Sequence, residues 1–256
     1  MNQFEESLFL LRQSRKNFDS LWRDVSNHLK NLKFVRKDGY AFPSGNLIVR
    51  YKADREMSDD VHDDIRHKAL TIIKDARCVI DHAVYAGIEV LTGRPPEKNY
   101  FPFSSGPKDL KGKVEKDFPQ PLWDALKSFQ SYPPNEGGNK VLWDLNETSN
   151  TNKHRFNFKV VGNITNYSAN KIAGSGAVRM SIPPEWDWKK GEIVIAEIKP
   201  GHPIHYDFKF KPGFIFDHAG PISGCSVKRV LTAFMDQAGH VTDTLKSETM
   251  KAVATA

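Results

Sequence analysis

The sequence predicts an α+β fold, in which a helical bundle packs on one side of an antiparallel sheet of about four strands. In residues 4–32, 58–93 and 223–245 apolar residues recur every three or four positions, as in amphipathic helices. Between residues 155 and 212 apolar and polar residues instead alternate over short segments, as in half-buried strands. Helices and strands thus occupy different parts of the chain, which favours α+β over repeated βα units.

The first helix is predicted from Phe4 to Leu32, because its apolar residues alternate steps of four and three with one gap, at Arg15. A small β insert follows, since strand-forming segments are separated by an Asp38-Gly39 turn and a second turn rich in Pro and Gly. These segments are residues 34–36, 40–42 and 47–51.

The second helix is predicted from Ser58 to Leu91. Ser58 is a suitable cap for the first amides, and Gly93 followed by two prolines ends the pattern. Residues 97–140 are rich in Pro, Gly and Lys, and we expect a long packed connection there, with one short helix at 122–126. Another short helix is expected at 141–146, followed by a polar loop up to Asn152.

Four strands and a closing helix complete the predicted fold. The strands are expected at 155–160, 177–182, 192–198 and 204–210. The closing helix follows Ser223 and places Val227, Leu231, Phe234, Val241 and Leu245 on one face. We expect a single domain, residues 1–256, with a helical part at 1–150 and 221–256 and a sheet part at 151–220.

Composition narrows the class of protein. The 256 residues are 39% apolar and 27% charged, with a net charge of +6, which excludes a disordered or collagen-like chain and permits an anionic partner. Two cysteines are too few for a disulfide framework, which indicates a reducing compartment. The acidic first residues do not resemble a secretory leader, and no apolar run is long enough for a transmembrane helix. We therefore expect a cytoplasmic protein without a membrane partner.

Several short motifs appear in an order that resembles a family of uncharacterised bacterial proteins. In that family a helix carrying R-S-A-L-D-H precedes F-P-I, Q-P-Y, L-W-x-L and D-K-H-R. The corresponding segments here are Arg77–His82, Phe101-Pro102-Phe103, Gln130-Ser131-Tyr132, Leu142-Trp143-Asp144-Leu145 and Asn152-Lys153-His154-Arg155. The match covers roughly residues 60 to 160 and departs at Cys78, Ser131 and Asn152. The resemblance implies a shared architecture and supplies no activity.

Arg77 and His82 also form an Arg-x4-His pair, which resembles the motif of HEPN-type helical ribonucleases of toxin and phage-defence systems. That resemblance implies that His82 acts as general acid or base on a ribose hydroxyl, while Arg77 stabilises charge on phosphorus without a metal. We therefore assign Arg77, His82, His154 and Arg155 as candidate catalytic residues, supported by Asp81, Asn152 and Lys153.

The helical positions of these residues favour a structural alternative. At about 100° per residue, Arg77 borders the apolar stripe and lies one turn from Asp81, whereas His82 points away from both. A structural Arg77–Asp81 ion pair with His82 on the surface is thus the competing interpretation. A shared catalytic geometry needs either a homodimer or the segment 153–155 folding back against the helix.

One cluster has the composition of a metal site. Strict alternation places His205 and Asp207 on one side of a predicted strand, with donors suited to zinc or iron. His202 or His218 would have to supply a third ligand, and an exposed polar strand face is the favoured alternative. We predict no cofactor.

The basic charge is unevenly placed. Residues 151–212 hold ten basic and five acidic side chains, a net charge of +5, with Arg155, Lys159 and Lys209 at polar strand positions. Residues 58–91 hold four basic and seven acidic side chains, a net charge of −3. An RNA or another anionic ligand is therefore expected on the sheet face, away from the Arg-x4-His helix.

Three functional hypotheses follow from the sequence. The first is a HEPN-like, metal-independent protein that acts on RNA or binds it. The second is a non-catalytic interaction or ligand-sensing module. The third is a metal-dependent enzyme that uses the cluster from His202 to His218.

Overall fold

The computed structural model describes residues 3–30, 32–54, 59–97, 100–154, 159–174, 177–187, 189–202 and 204–255. For residues 151–154, 165, 169–174, 177–183, 185 and 204–207 it describes the backbone alone. The described chain has the predicted α+β fold. Its α-helices are α1 (Glu5–Lys30), α2 (Asp59–Thr92), α3 (Pro107–Asp117), α4 (Trp123–Ser128), α5 (Lys140–His154) and α6 (Val227–Thr255). Its strands are β1 (Phe34–Arg36), β2 (Gly39–Tyr40), β3 (Leu47–Ala53), β4 (Lys159–Gly174), β5 (Ala177–Asp187), β6 (Glu192–Ile198) and β7 (Ile204–Asp217).

The three long helices α1, α2 and α6 pack together and bury the apolar stripes that predicted them. On α2, Ile72 and Ile80 are fully buried, and each such side chain contributes about 1.5–3 kcal/mol. A polar contact joins all three helices: the Ser7 hydroxyl donates to the Val79 carbonyl (2.9 Å) and lies 3.2 Å from the Thr242 hydroxyl. The predicted three-helix bundle is confirmed.

The strands form two antiparallel arrangements. The larger has the order β1-β3-β6-β5, with β2 also paired to β3, and the smaller is the long β4–β7 ribbon. Phe210 of the ribbon contacts Phe34 of β1 and Tyr51 of β3, with ring centroids 6.0 and 4.9 Å apart. The ribbon therefore packs on the larger sheet through aromatic side chains.

The strand arrangement corrects the predicted single sheet. The insert is part of the larger sheet, because β3 pairs with β6 over residues 47–52. The strand predicted at 155–160 overlaps β4 only at residues 159–160, since residues 155–158 lie outside the described residues. β4 continues to Gly174 and pairs with β7 along its whole length. The alternating pattern of a strand predicts which of its residues face the core, but it does not predict which other strand is its neighbour in the sheet.

Two helical predictions are also corrected. α3 lies within the predicted connection 97–140, where its only buried residues are Leu110 and Val114. α5 does not end at Asn146 but continues to His154, so the predicted polar loop is helical. Thr148 and Ser149 are each only 2% exposed, so polar side chains of this segment pack inside the protein. The predicted cap Ser58 lies outside the described residues.

Candidate functional site

Arg77 and Asp81 form a two-point ion pair on α2. Arg77 Nη2 lies 3.0 Å from Asp81 Oδ1, and Nε donates to Oδ2 at 3.1 Å. The two side chains are only 14% and 18% exposed. This geometry uses both carboxylate oxygens, as strong arginine–carboxylate pairs do.

The pair is held by two other segments. Arg77 Nη1 donates to the side-chain oxygen of Asn146 on α5 at 3.1 Å, and the guanidinium lies 4.3 Å from the centre of the Phe103 ring. The Phe101 backbone N–H donates to Asp81 Oδ1 at 2.8 Å. The cluster therefore joins α2, the 101–103 segment and α5, three places where the predicted motifs occur.

The electrostatics of Arg77 are those of a buried, compensated cation. Burial lowers the pKa of Arg77, whereas the charge and hydrogen bond of Asp81 raise it. An arginine remains protonated in proteins, so Asp81 serves as its counter-charge. The predicted Arg77–Asp81 ion pair is thus present.

The adjoining segment Gln130-Ser131-Tyr132, which resembles a Q-P-Y motif, differs from that motif at Ser131. The Ser131 hydroxyl donates to the Pro102 carbonyl, and the Ser104 N–H donates to the Ser131 carbonyl at 3.0 Å. Serine therefore supplies a hydrogen bond between two motif segments that a proline at the same position has no donor to make.

His82 faces a different part of the molecule. Its Nδ1 lies 3.7 Å from Glu6 Oε2 on α1, and the side chain is 37% exposed. Arg77 instead contacts α5 and the 101–103 segment. The two residues of the Arg-x4-His pair thus have different neighbours, as the helical positions predicted.

Three of the remaining candidate site residues lie at the end of α5. Asn152, Lys153 and His154 belong to its last turn, but their side chains are not described, and Arg155 lies outside the described residues. Asn146, which contacts Arg77, precedes His154 by eight residues, or about 12 Å along the helix axis.

The histidines of the predicted metal cluster are spread along the β4–β7 ribbon. His205 lies near the start of β7 and His218 directly follows its end, about 40 Å further along an extended strand. His218 Nε2 lies 3.6 Å from Asp217 Oδ2, and His202 is exposed. The side chains of His205 and Asp207 are not described. In the part of the chain with described side chains, no three His, Cys, Asp or Glu residues are grouped as metal ligands.

A basic groove of about 560 Å³ opens between α1, the β4–β7 ribbon and the start of α6. The contributing α1 residues recur at helical steps of three and four, so that they form one face of that helix. The groove is lined by Trp22, Val25, Ser26, Leu29, Lys30, Asn166, Lys211, Pro212, Gly213, Phe214, Ser226 and Lys228.

Three lysines give this groove its charge. Lys30 ends α1, Lys211 lies on β7, and Lys228 is the second residue of α6. No Asp or Glu is among the described residues that line the groove. Three positive charges therefore lie around one concave surface whose described lining includes no carboxylate.

The position of Lys228 is electrostatically unfavourable for helix α6 itself. The first turn of α6 contains no acidic residue and carries Lys228 and Arg229, whereas α1 and α2 both begin with two acidic residues. Cations near a helix N-terminus oppose its dipole. A bound anion would compensate for this arrangement, which is the kind of local conflict that functional sites show.

Trp22 is the aromatic residue of the groove. Lys228 Nζ lies 4.5 Å from its ring centre, and the nearly parallel ring of Phe18 has its centroid 6.4 Å away. Trp22 is half-buried, so part of its indole faces the groove.

The basic residues predicted on the sheet region are not among the described residues that line this groove. Lys159 and Lys209, predicted at polar positions of the sheet region, are exposed, and Lys209 lies two residues before Lys211 on the same strand face. The sequence did not predict a role for Trp22, Lys30 or Lys228, which come from helices at opposite ends of the chain. The one local signal was the pair of basic residues at the start of the last helix.

A smaller cavity of about 160 Å³ lies beside the Arg77 cluster and is lined mainly by aromatic residues. Its lysine, Lys113, is already engaged, because its Nζ donates to the Phe103 carbonyl at 2.9 Å and lies 3.0 Å from Asp109 Oδ2. The described lining of this cavity also includes Asp117, so it holds one lysine and one carboxylate and is a weaker candidate for an anionic ligand than the groove.

No family model matches the chain, and neither a curated protein nor a solved structure does so. Within the described residues, every helix is too short or too polar to cross a membrane.

Proposed function

We propose that this protein binds RNA in the basic groove and does not cleave it. The observation that supports this function best is the set of three lysines, Lys30, Lys211 and Lys228, around a groove whose described lining has no carboxylate. Lysines bind phosphate groups as point charges and provide most of the affinity for nucleic acids.

The size of the groove suits this ligand. Its volume of about 560 Å³ lies inside the range of about 300–1,000 Å³ that is typical of small-molecule sites. The groove is therefore large enough for a nucleotide unit, while a neighbouring phosphate of the same strand extends towards Lys209, two residues before Lys211 on β7.

The neighbours of Arg77 favour binding over cleavage. Its guanidinium is engaged by Asp81 and Asn146 and covered by the Phe103 ring. A catalytic arginine must reach a phosphate, and a general base must lie within hydrogen-bond reach of its proton. Here Arg77 and His82 have different neighbours, and the helix that carries them has an acidic surplus.

The test compares two triple variants by fluorescence anisotropy with a labelled oligoribonucleotide at several salt concentrations. In the first, Lys30→Gln, Lys211→Gln and Lys228→Gln remove the charges of the groove. We expect weaker binding and a salt slope smaller by about 2, since each phosphate contact to a single strand contributes about 0.7.

The matched control removes the same charge elsewhere, with Lys111→Gln, Lys190→Gln and Lys251→Gln. These lysines are 66–74% exposed and pair with acids of their own elements or turns. The control is expected to bind as the wild type does. Equal affinity and equal salt slope for both triple variants would show that the groove is not the RNA site.

Cleavage is tested on the same RNA in EDTA. The wild-type protein is expected to leave the RNA intact. Cleavage that disappears in His82→Ala would contradict the non-catalytic proposal and support the HEPN-like nuclease.

A further inference from the structure

We propose that the groove selects unpaired bases, and that Trp22 is the surface on which a base stacks after Lys228 moves off its ring. This inference rests on the proposed RNA-binding function and specifies its substrate class as single-stranded RNA. It is carried by the geometry of Trp22, Phe18 and Lys228.

Trp22 is positioned as a stacking surface by its neighbours. It lies on the face of α1 that lines the groove, one turn before Ser26 and two turns before Lys30. The nearly parallel Phe18 ring supports it from the preceding turn, with an interplanar angle of 12°. The indole is therefore held in place before any ligand arrives.

Lys228 now contacts the ring that a base would contact. Its ammonium lies 4.5 Å from the ring centre, and the side chain is exposed. A cation–π contact at an exposed site is weak, and the flexible lysine stem allows the ammonium to move without leaving the groove. The Lys228 ammonium can thus leave the indole ring and bind a phosphate, while a base stacks on the ring in place of the ammonium.

The other groups of the groove divide into two kinds. Lys30 and Lys211 supply charge for neighbouring phosphates, whereas Ser26, Asn166 and Ser226 supply neutral hydrogen-bonding groups. A stacking ring between cationic side chains is the arrangement by which proteins bind single strands with little sequence preference. The bases of a duplex are stacked on one another, so they cannot reach Trp22 unless the duplex opens.

The experiment uses the full chain and three probes: an unstructured oligoribonucleotide, a duplex of the same length, and inorganic polyphosphate, which has phosphates but no bases. Wild-type protein is expected to bind the single strand more tightly than the duplex. Trp22→Leu should weaken single-strand binding about 5- to 150-fold, the range that corresponds to loss of one stacked base, and leave polyphosphate binding within about twofold.

A second variant keeps the test informative if Trp22→Leu disturbs the helix packing. Trp22→Phe retains an aromatic ring, so it should retain most of the single-strand affinity. The RNA-dependent change in tryptophan fluorescence should nevertheless decrease in Trp22→Phe if Trp22 is the stacked residue. The far-UV CD spectrum and the urea midpoint of each variant establish that it is folded.

The outcomes separate this inference from the function on which it rests. Equal wild-type affinity for single strand and duplex, or single-strand binding unchanged in Trp22→Leu, would overturn base stacking while RNA binding by the groove lysines stands. Binding of RNA that is insensitive to the groove lysines would overturn both. Loss of polyphosphate binding in a folded Trp22→Leu variant would also overturn the stacking role. It would show that Trp22 is needed for phosphate binding by the groove lysines and not for contact with a base.

Discussion

Asp81→Asn tests whether the Arg77 cluster is a structural element. The substitution keeps the size of the side chain and removes the counter-charge of a guanidinium that is 14% exposed. It also replaces a charged acceptor by a neutral one for the Phe101 N–H. Asn146 and the Phe103 ring remain in contact with Arg77 but do not neutralise it.

The expected loss of stability is about 3 kcal/mol. Removing one partner of a buried ion pair costs about 3–5 kcal/mol, and the residual exposure of both side chains places this pair at the lower end. A matched control is available on the same helix: Lys68 and Asp64 also form an i, i+4 pair, at 2.7 Å, but their side chains are 37% and 55% exposed. Asp64→Asn should therefore cost only about 0.5 kcal/mol.

Urea unfolding, followed by far-UV CD, measures both free energies of unfolding. A double variant, Arg77→Met with Asp81→Asn, should be more stable than Asp81→Asn alone, because no uncompensated charge remains buried. If Asp81→Asn costs no more than Asp64→Asn, the cluster has no special role in stability. A functional explanation for its geometry would then be required.

Two further predictions concern protonation and glycine geometry. Burial lowers the pKa of His62, which is 5% exposed and lies beside Phe214; the nearby Asp59 and Asp63 oppose this shift and His28 adds to it. Below about pH 6.5 the unfolded chain therefore binds a proton at His62 that the folded chain does not bind, so the free energy of unfolding should decrease as the pH drops. His62→Phe removes this proton and should reduce the difference between the urea midpoints at pH 7 and pH 5. In the second prediction, Gly138→Ala should prevent normal folding, because a Cβ there would lie 1.8 Å from the Tyr132 carbonyl oxygen. A Cβ added at Gly112 in α3 meets no atom within 4 Å, so Gly112→Ala should stabilise the protein by about 0.5–1 kcal/mol. Thermal unfolding compares the Gly138→Ala and Gly112→Ala variants, and similar midpoints for both would contradict the geometry.

The sequence predicted the long helices because each carries enough apolar residues to define a stripe. α3 was not predicted, because only Leu110 and Val114 of its 11 residues are buried and two apolar positions do not define a stripe. The end of α5 was predicted as a loop because its Asn and Thr residues favour turns in isolation. In the structure Thr148 and Ser149 are buried, so packing overrides the local preference of this segment.

The partners of strands and of site residues depend on distances in space that a single sequence does not contain. The Arg77–Asp81 pair was predictable, because both residues lie on one helix at i, i+4 spacing. Asn146 and Phe103 were indicated only by the order of motifs. Lys30, Lys211 and Lys228 come from three separate elements, and no local pattern connects them.

The distribution of charge determines where the proposed RNA ligand would meet this protein. At physiological salt the field of an exposed charge is largely screened beyond about 8 Å, so the net charge of +6 matters less than the charges within one Debye length of the ligand. The groove offers three lysines and no carboxylate in its described lining, whereas the helix with Arg77 and His82 belongs to a segment of net charge −3. A phosphate near that helix is repelled by its carboxylates and meets an arginine already neutralised by Asp81. The same charge distribution therefore favours the groove as the binding site and disfavours the predicted catalytic pair.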